Sequence, residues 1–200
     1  VLTHSERMVI KMSQKRFSAK KVAGLAILAA LGIALAELIH FPIFPGFTFL
    51  EYDAADIPIF IAAFMYGPFS GVIVTSVVAV VQGVTVSASS GWIGIVMHFV
   101  ATGAFCLVAG FIYKCRRTYP GAIVALVSGV LVMTGLMLGM NVLLTPIFFG
   151  WPREQVVAIL FPVILPFNLI KAGVNSLFTF FLYKRIGKLF GAMFREKIES

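Results

Sequence analysis

The sequence predicts an all-α integral membrane protein with six transmembrane helices in one bundle and both termini cytoplasmic. Two observations carry that reading. The 200 residues are 60% hydrophobic and 12% charged, with a mean hydropathy of +1.01, against roughly 45–50% apolar and 25% charged residues in soluble domains. The basic residues, moreover, sit in blocks outside the apolar runs. Six (Arg7, Lys11, Lys15, Arg16, Lys20, Lys21) precede the first run, three (Lys114, Arg116, Arg117) join the fourth to the fifth, and five (Lys184, Arg185, Lys188, Arg195, Lys197) close the chain. Six crossings put all three blocks on one face, which the positive-inside preference makes cytoplasmic. Four or five crossings would place a basic block outside. About six spans of ~20 residues also use the available length, leaving none for a separate soluble domain.

Segmenting at Pro, Gly and polar clusters gives helices near 20–40, 55–66, 68–87, 91–113, 119–145 and 156–184. Residues 1–19 read as a cytoplasmic segment, 20–185 as a six-helix transmembrane domain and 186–200 as a basic cytoplasmic tail. The first apolar run, Val22 to Ile39, is longer than a signal-peptide core and no small-residue cleavage site follows it, so it reads as a retained span. Ala19, Ala23, Ala26, Ala30 and Ala34 give it a small-residue stripe, suited to packing within the chain or to docking a partner helix.

The stretch "FPIFPGFTFLEYDAADIP" reads as an ordered loop. The second helix is too short to cross upright and is expected to be oblique or partly re-entrant. Asp56, with Pro58 two residues on, looks like a helix N-cap. Asp53 has no such role and, if buried, would pair with Lys171 or with a ligand. Gln82, Thr85, Ser87, Ser89 and Ser90 place hydrogen-bonding groups at the outer end of the third helix. In the fourth, His98 is an intramembrane histidine, either a hydrogen-bonded packing residue or a proton relay. Asn141 in the fifth either bonds a neighbouring helix or lines a site.

The sixth helix carries "PFNLIKAGVNS". Asn168, Lys171 and Asn175 recur at i, i+3 and i+7 and so share one face. Lys171 lies about 13 residues, roughly 20 Å, before Lys184, too far for its stem to reach the inner surface. It either snorkels outward past Pro162 and Pro166 or faces a cavity. A cluster of this kind facing lipid would cost several kcal/mol, which favours the cavity.

Other chemistries find no support. The net charge of +8 comes from blocks whose placement matches topology rather than nucleic-acid binding. Cys106 and Cys115 have neither CxxC nor metal-ligand spacing. There is no Walker A loop, GxSxG, HExxH or metal-spaced carboxylate run, so neither an enzyme, a metal site, a bound cofactor nor an autonomous ATP-driven pump is expected.

"LAILAAL" at 25–31, "YDAADIP" and "FMYGPFSG" within 52–71, "LLTPIFFG" after Asn141, and "ILPFNLIKAG" at 164–173 occur in an order that resembles the S-components of energy-coupling-factor vitamin transporters. Within that family the riboflavin-specific type is the nearest. The resemblance spans residues 25 to about 185. It implies a prokaryotic cytoplasmic-membrane protein that captures riboflavin or FMN from outside, with the loop after the first helix covering the pocket. It also implies partners: a transmembrane coupling protein contacted through an AxxxA stripe, here Ala26 and Ala30, and two cytosolic ATPases. The implied ligand set is Asn141, Asn168 and Lys171, joined by the loop residues Leu50 and Asp53, by Gln82 and by Asn175. At Val78 and Ala79 the third helix departs from the riboflavin type, which carries a basic residue and an Asn there. An S-component for another vitamin or precursor, such as pantothenate or a pyrimidine, is the alternative within the family. A structural membrane subunit without a pocket is the alternative outside it.

Overall fold

The computed structural model describes residues 19–47 and 49–195. The expected N-terminal segment up to 18 and the tail from 196 onward lie outside the described residues. Helices α1 (Ala19–Leu38), α2 (Asp56–Tyr66), α3 (Pro68–Val84), α4 (Gly91–Cys115), α5 (Tyr119–Phe149), α6 (Arg153–Ile159) and α7 (Leu165–Arg195) follow in order, with a π-turn at Leu160–Ile164 joining α6 to α7. Four stretches, Ala19–Leu38, Gly91–Cys115, Tyr119–Phe149 and Arg153–Gly191, are long and apolar enough to cross a membrane, while α2 and α3 are shorter. The result is a six-helix membrane bundle in the expected order, with α6, the π-turn and α7 forming the sixth crossing.

The expected loop between α1 and α2 contains a small antiparallel ribbon, β1 (His40–Pro42) with β2 (Glu51–Asp53), pairing His40 with Asp53 and Phe41 with Tyr52. Helix α2 has 11 residues, about 17 Å at 1.5 Å per residue, short of a ~30 Å hydrocarbon core. It is tolerated because it is enclosed. Every residue from Asp56 to Phe64 is buried, packed among α1, α3, α4 and α7, so this stretch is shielded from lipid by protein. Phe60 stacks on Phe105 at 3.6 Å and Phe64 on Tyr113 at 4.3 Å, tying α2 to α4. Outward, Leu131, Leu143, Phe161 and Phe181 are exposed, the inverted pattern of a surface solvated by lipid rather than water.

The sixth helix begins at Arg153 rather than 156 and continues to Arg195 rather than 184. Pro162 and Pro166 each lack an N–H, and the ladder adapts by widening, with the Leu165 amide donating to the Leu160 carbonyl in the i→i+5 pattern of a π-turn. The predicted end of α5 at 145 is also passed. Pro146 lies within the helix, which stops at left-handed Gly150, φ 67°, a position glycine occupies without strain.

Close approach of α2, α3 and α4 depends on Gly71. A Cβ there would sit 2.7 Å from the Ala63 Cβ and 2.8 Å from the Cys106 Sγ. Gly71→Ala is therefore expected to destabilise the bundle by about 1–3 kcal/mol, read as a lowered melting temperature of the purified protein. An unchanged melt would mean that the helices separate there without loss.

Candidate ligand-binding site

At the end of the bundle where α1 meets the ribbon, a cavity of about 140 Å³ opens between β2, α2, α3, α4, α5 and α7. The Pro-rich loop contributes Phe49 and Leu50, and α5 and the start of α7 add Met133, Met137, Phe148, Phe149 and Phe167. These give the cavity an aromatic and thioether wall that suits a flat apolar ring.

The polar part of the lining gathers where β2, α3 and α7 meet. Lys171 Nζ donates to Asp53 Oδ2 at 2.6 Å and to the Glu51 carbonyl at 3.3 Å, so the lysine points into the bundle and binds the ribbon instead of snorkelling. Gln82 Nε2 donates to the same carboxylate oxygen at 2.9 Å. Asp53 Oδ1 accepts from the Ala55 amide at 3.0 Å, an Asx-type turn that sets the entry to α2. Burial opposes ionisation of Asp53, but the Lys171 ammonium, helped by His98 and the Gln82 amide, holds its carboxyl below the ordinary aspartate range. The stability this supplies is complete above the ordinary aspartate value and is lost as pH falls through the lowered one.

Asp56 corrects the capping expectation. The N-cap position of α2 is Ala55, without a side-chain bond, and Asp56 is fully buried as the hub of a second network. Its Oδ1 contacts His98 Nε2 at 3.2 Å and accepts from Thr102 Oγ1 at 3.0 Å. Asn175 closes that network from α7. Its Oδ1 accepts from the Tyr52 hydroxyl at 2.8 Å, and its Nδ2 donates to the Asp53 carbonyl at 3.0 Å and approaches Asp56 Oδ2 at 3.4 Å. Asn175, expected in the ligand set, therefore stays beneath the cavity with its amide spent on the ribbon and α2, and it is not among the lining residues. Its helical alignment with Lys171 is real, but the ribbon covers that part of the face.

Leu50, Asp53, Gln82, Asn141, Asn168 and Lys171 do come together at the lining. Asn141 and Asn168 each donate one amide hydrogen to the carbonyl four residues earlier, Met137 at 2.8 Å and Ile164 at 2.8 Å. Thr145 Oγ1 donates to Asn141 Oδ1 at 3.0 Å. These bonds fix both amides while the Asn168 oxygen keeps no partner among the described residues. Gln82 Oε1 is buried and has no partner either, an acceptor whose desolvation cost a donor on a ligand would relieve. Ala79 lines the cavity and Val78 packs on Gly32, so small apolar groups stand where the riboflavin type was expected to be polar. Ala26 and Ala30 are exposed on α1, well away from this site.

Residues 20–183 match the family described as ECF transporter, substrate-specific component. The chain belongs to that family. This S-component is 33% identical over 164 residues to the riboflavin transporter FmnP of Bacillus subtilis, covering 78% of this chain and 85% of that protein. It is 28% identical over 173 residues to the riboflavin transporter RibU of Staphylococcus aureus, covering 84% and 90% respectively. Among solved structures, the S component of a bacterial ECF transporter superposes with a TM-score of 0.73 at 29% identity, over 86% of this chain and 97% of that one. ThiT from Listeria monocytogenes, with a TM-score of 0.62 at 18% identity over 85% and 96%, shares the fold. The protein is thus a multi-pass membrane transport component rather than an enzyme, in a family that works with an energy-coupling module.

The sequence reading missed Asp56, His98, Thr102 and Thr145 as cavity-lining residues. His98 and Thr102 stand one helical turn apart, a spacing that would have placed both on one face of α4.

Proposed function

We propose that this S-component captures riboflavin, or its phosphate ester FMN, for ATP-driven uptake. The observation that carries the reading is the paired character of the cavity. Aromatic and methionine side chains share its lining with donors from Lys171 and Asn168 and an unpartnered acceptor on Gln82. An isoalloxazine presents the complement: a flat apolar body and a pyrimidine edge that alternates carbonyl acceptors with an N–H donor. The third Lys171 hydrogen and the second Asn168 amide hydrogen would meet the carbonyls, and Gln82 Oε1 would take the ring N–H. Leu50, Asp53 and Asn141 complete the site, Asp53 by holding the lysine. Similarity to riboflavin transporters supports the same ligand.

In the proposed orientation both termini are cytoplasmic and the cavity opens outward, beneath the ribbon loop. A transmembrane coupling protein would dock on Ala26 and Ala30, bringing two cytosolic ATPases to a chain that carries no ATP motif. Purified protein is expected to be yellow or to quench riboflavin fluorescence on titration, and riboflavin should raise its melting temperature. Colourless protein whose melt ignores both riboflavin and FMN would sink the flavin assignment. A shift with pantothenate or a pyrimidine instead would reassign the cavity.

A further inference from the structure

A second cavity, of about 230 Å³, opens at the far end of the bundle between the start of α1, the α2–α3 turn and the end of α4. Lys21, Lys114 and Arg117 line it, and among the described residues no carboxylate does. The three cations come from α1, from α4 and from the link to α5. Among the described residues, neither Lys114 nor Arg117 has an acidic partner within ion-pair range.

The lip of this cavity is apolar. Phe69 and Phe111 meet edge to face at 5.8 Å and are 67% and about half exposed, the latter 44%. Gly110 backs onto Pro68, where a Cβ would lie 2.8 Å from the Pro68 Cα, so the floor between α3 and α4 is closed by backbone contact. Nearby, Lys184 lies 3.4 Å above the ring of Tyr119, which is exposed. An exposed tyrosine with a lysine over its ring suits the headgroup zone of a membrane bundle.

We propose that this cavity seats the phosphate of an anionic membrane phospholipid. Several cations from separate elements around one opening suit a phosphate, with the Arg117 guanidinium able to hold two oxygens at once. Basic pockets between transmembrane helices are the recurrent form of such headgroup sites. Phe69 and Phe111 lie where the acyl chains would leave the headgroup. A free phosphate would satisfy the cations but would leave this aromatic lip unused.

Native mass spectrometry of the full chain in detergent, titrated with phosphatidylglycerol, phosphatidylcholine or inorganic phosphate, tests the assignment. Phosphatidylglycerol adducts should persist where phosphatidylcholine adducts do not. The double variant Lys114→Ala/Arg117→Ala should weaken phosphatidylglycerol retention about thirtyfold. Arg185→Ala/Lys188→Ala removes the same charge from the same end of the bundle, outside the cavity, and should change retention by less than about threefold. Equal losses in the two double variants would mean diffuse attraction and overturn the site. Retention of inorganic phosphate as tight as that of the lipid would overturn the lipid as its source. Unchanged melting temperatures for both double variants serve as the folding control.

Discussion

Lys171→Ala is expected to weaken riboflavin binding by about tenfold or more and to destabilise the empty protein as well. The two effects have different causes. Affinity falls because a charged hydrogen bond to the ligand, about 1.5–3 kcal/mol, is lost. Stability falls because Asp53, 3% exposed, is left as an uncompensated buried carboxylate, a loss of about 3–5 kcal/mol for a broken buried pair. Lys171 also anchors the ribbon through the Glu51 carbonyl, so the loop over the cavity should loosen. The double variant Asp53→Asn/Lys171→Met separates these roles. It removes both charges while keeping an acceptor for the Ala55 amide, so the melting temperature should largely recover while riboflavin affinity stays low. Recovery of both would reduce the lysine to a strut for the loop. Wild-type affinity in Lys171→Ala would remove it from the ligand set altogether.

The polar wall was legible where its signal lay within one helix. Asn168 and Lys171 stand a turn apart in an apolar run, and the energetic penalty for turning them to lipid is large enough to decide which way they face. The fold was legible for the same reason, since long apolar runs and basic blocks are local features. What could not be read were relations between distant elements. Asp56 meets His98 across 42 positions of chain, and nothing near Asp56 distinguishes a buried hub from an N-cap. Asn175 keeps the right face but passes under the ribbon, whose register is set by pairing His40 with Asp53 rather than by any periodicity. The π-turn at Leu160–Ile164 is a compromise between two prolines and a continuous helix, which segmentation reads as an uninterrupted helix from 156.

Ala30→Trp, alone or with Ala26→Trp, is expected to leave riboflavin affinity within about twofold and to abolish uptake in cells that carry the coupling module. Helix α1 has two small-residue faces with opposite uses. Gly24 and Gly32 are buried; the first lies against the Tyr66 ring and the second faces the Ala55 carbonyl and Val78. Those positions let α1 settle on its own bundle. Ala26, Ala30 and Ala34 repeat at four-residue spacing on the exposed side, where close packing within this chain makes no use of them. In lipid, helices gain no hydrophobic drive to associate, and a strip without side chains matters because it lets a second backbone come near. An indole on that strip would hold a coupling helix several ångströms away without touching the ligand cavity. Leu131→Trp, at a position 62% exposed on α5, supplies the control, since a lipid-facing position should accept the ring with uptake intact. Gly24→Ala supplies a different one: its Cβ would meet the Tyr66 side chain, which lines the far-end cavity, so it should lower the melting temperature without changing the ligand cavity. Uptake that survives Ala30→Trp would move the docking face off α1, whereas loss of uptake in Leu131→Trp as well would show that bulk anywhere on the lipid surface is harmful.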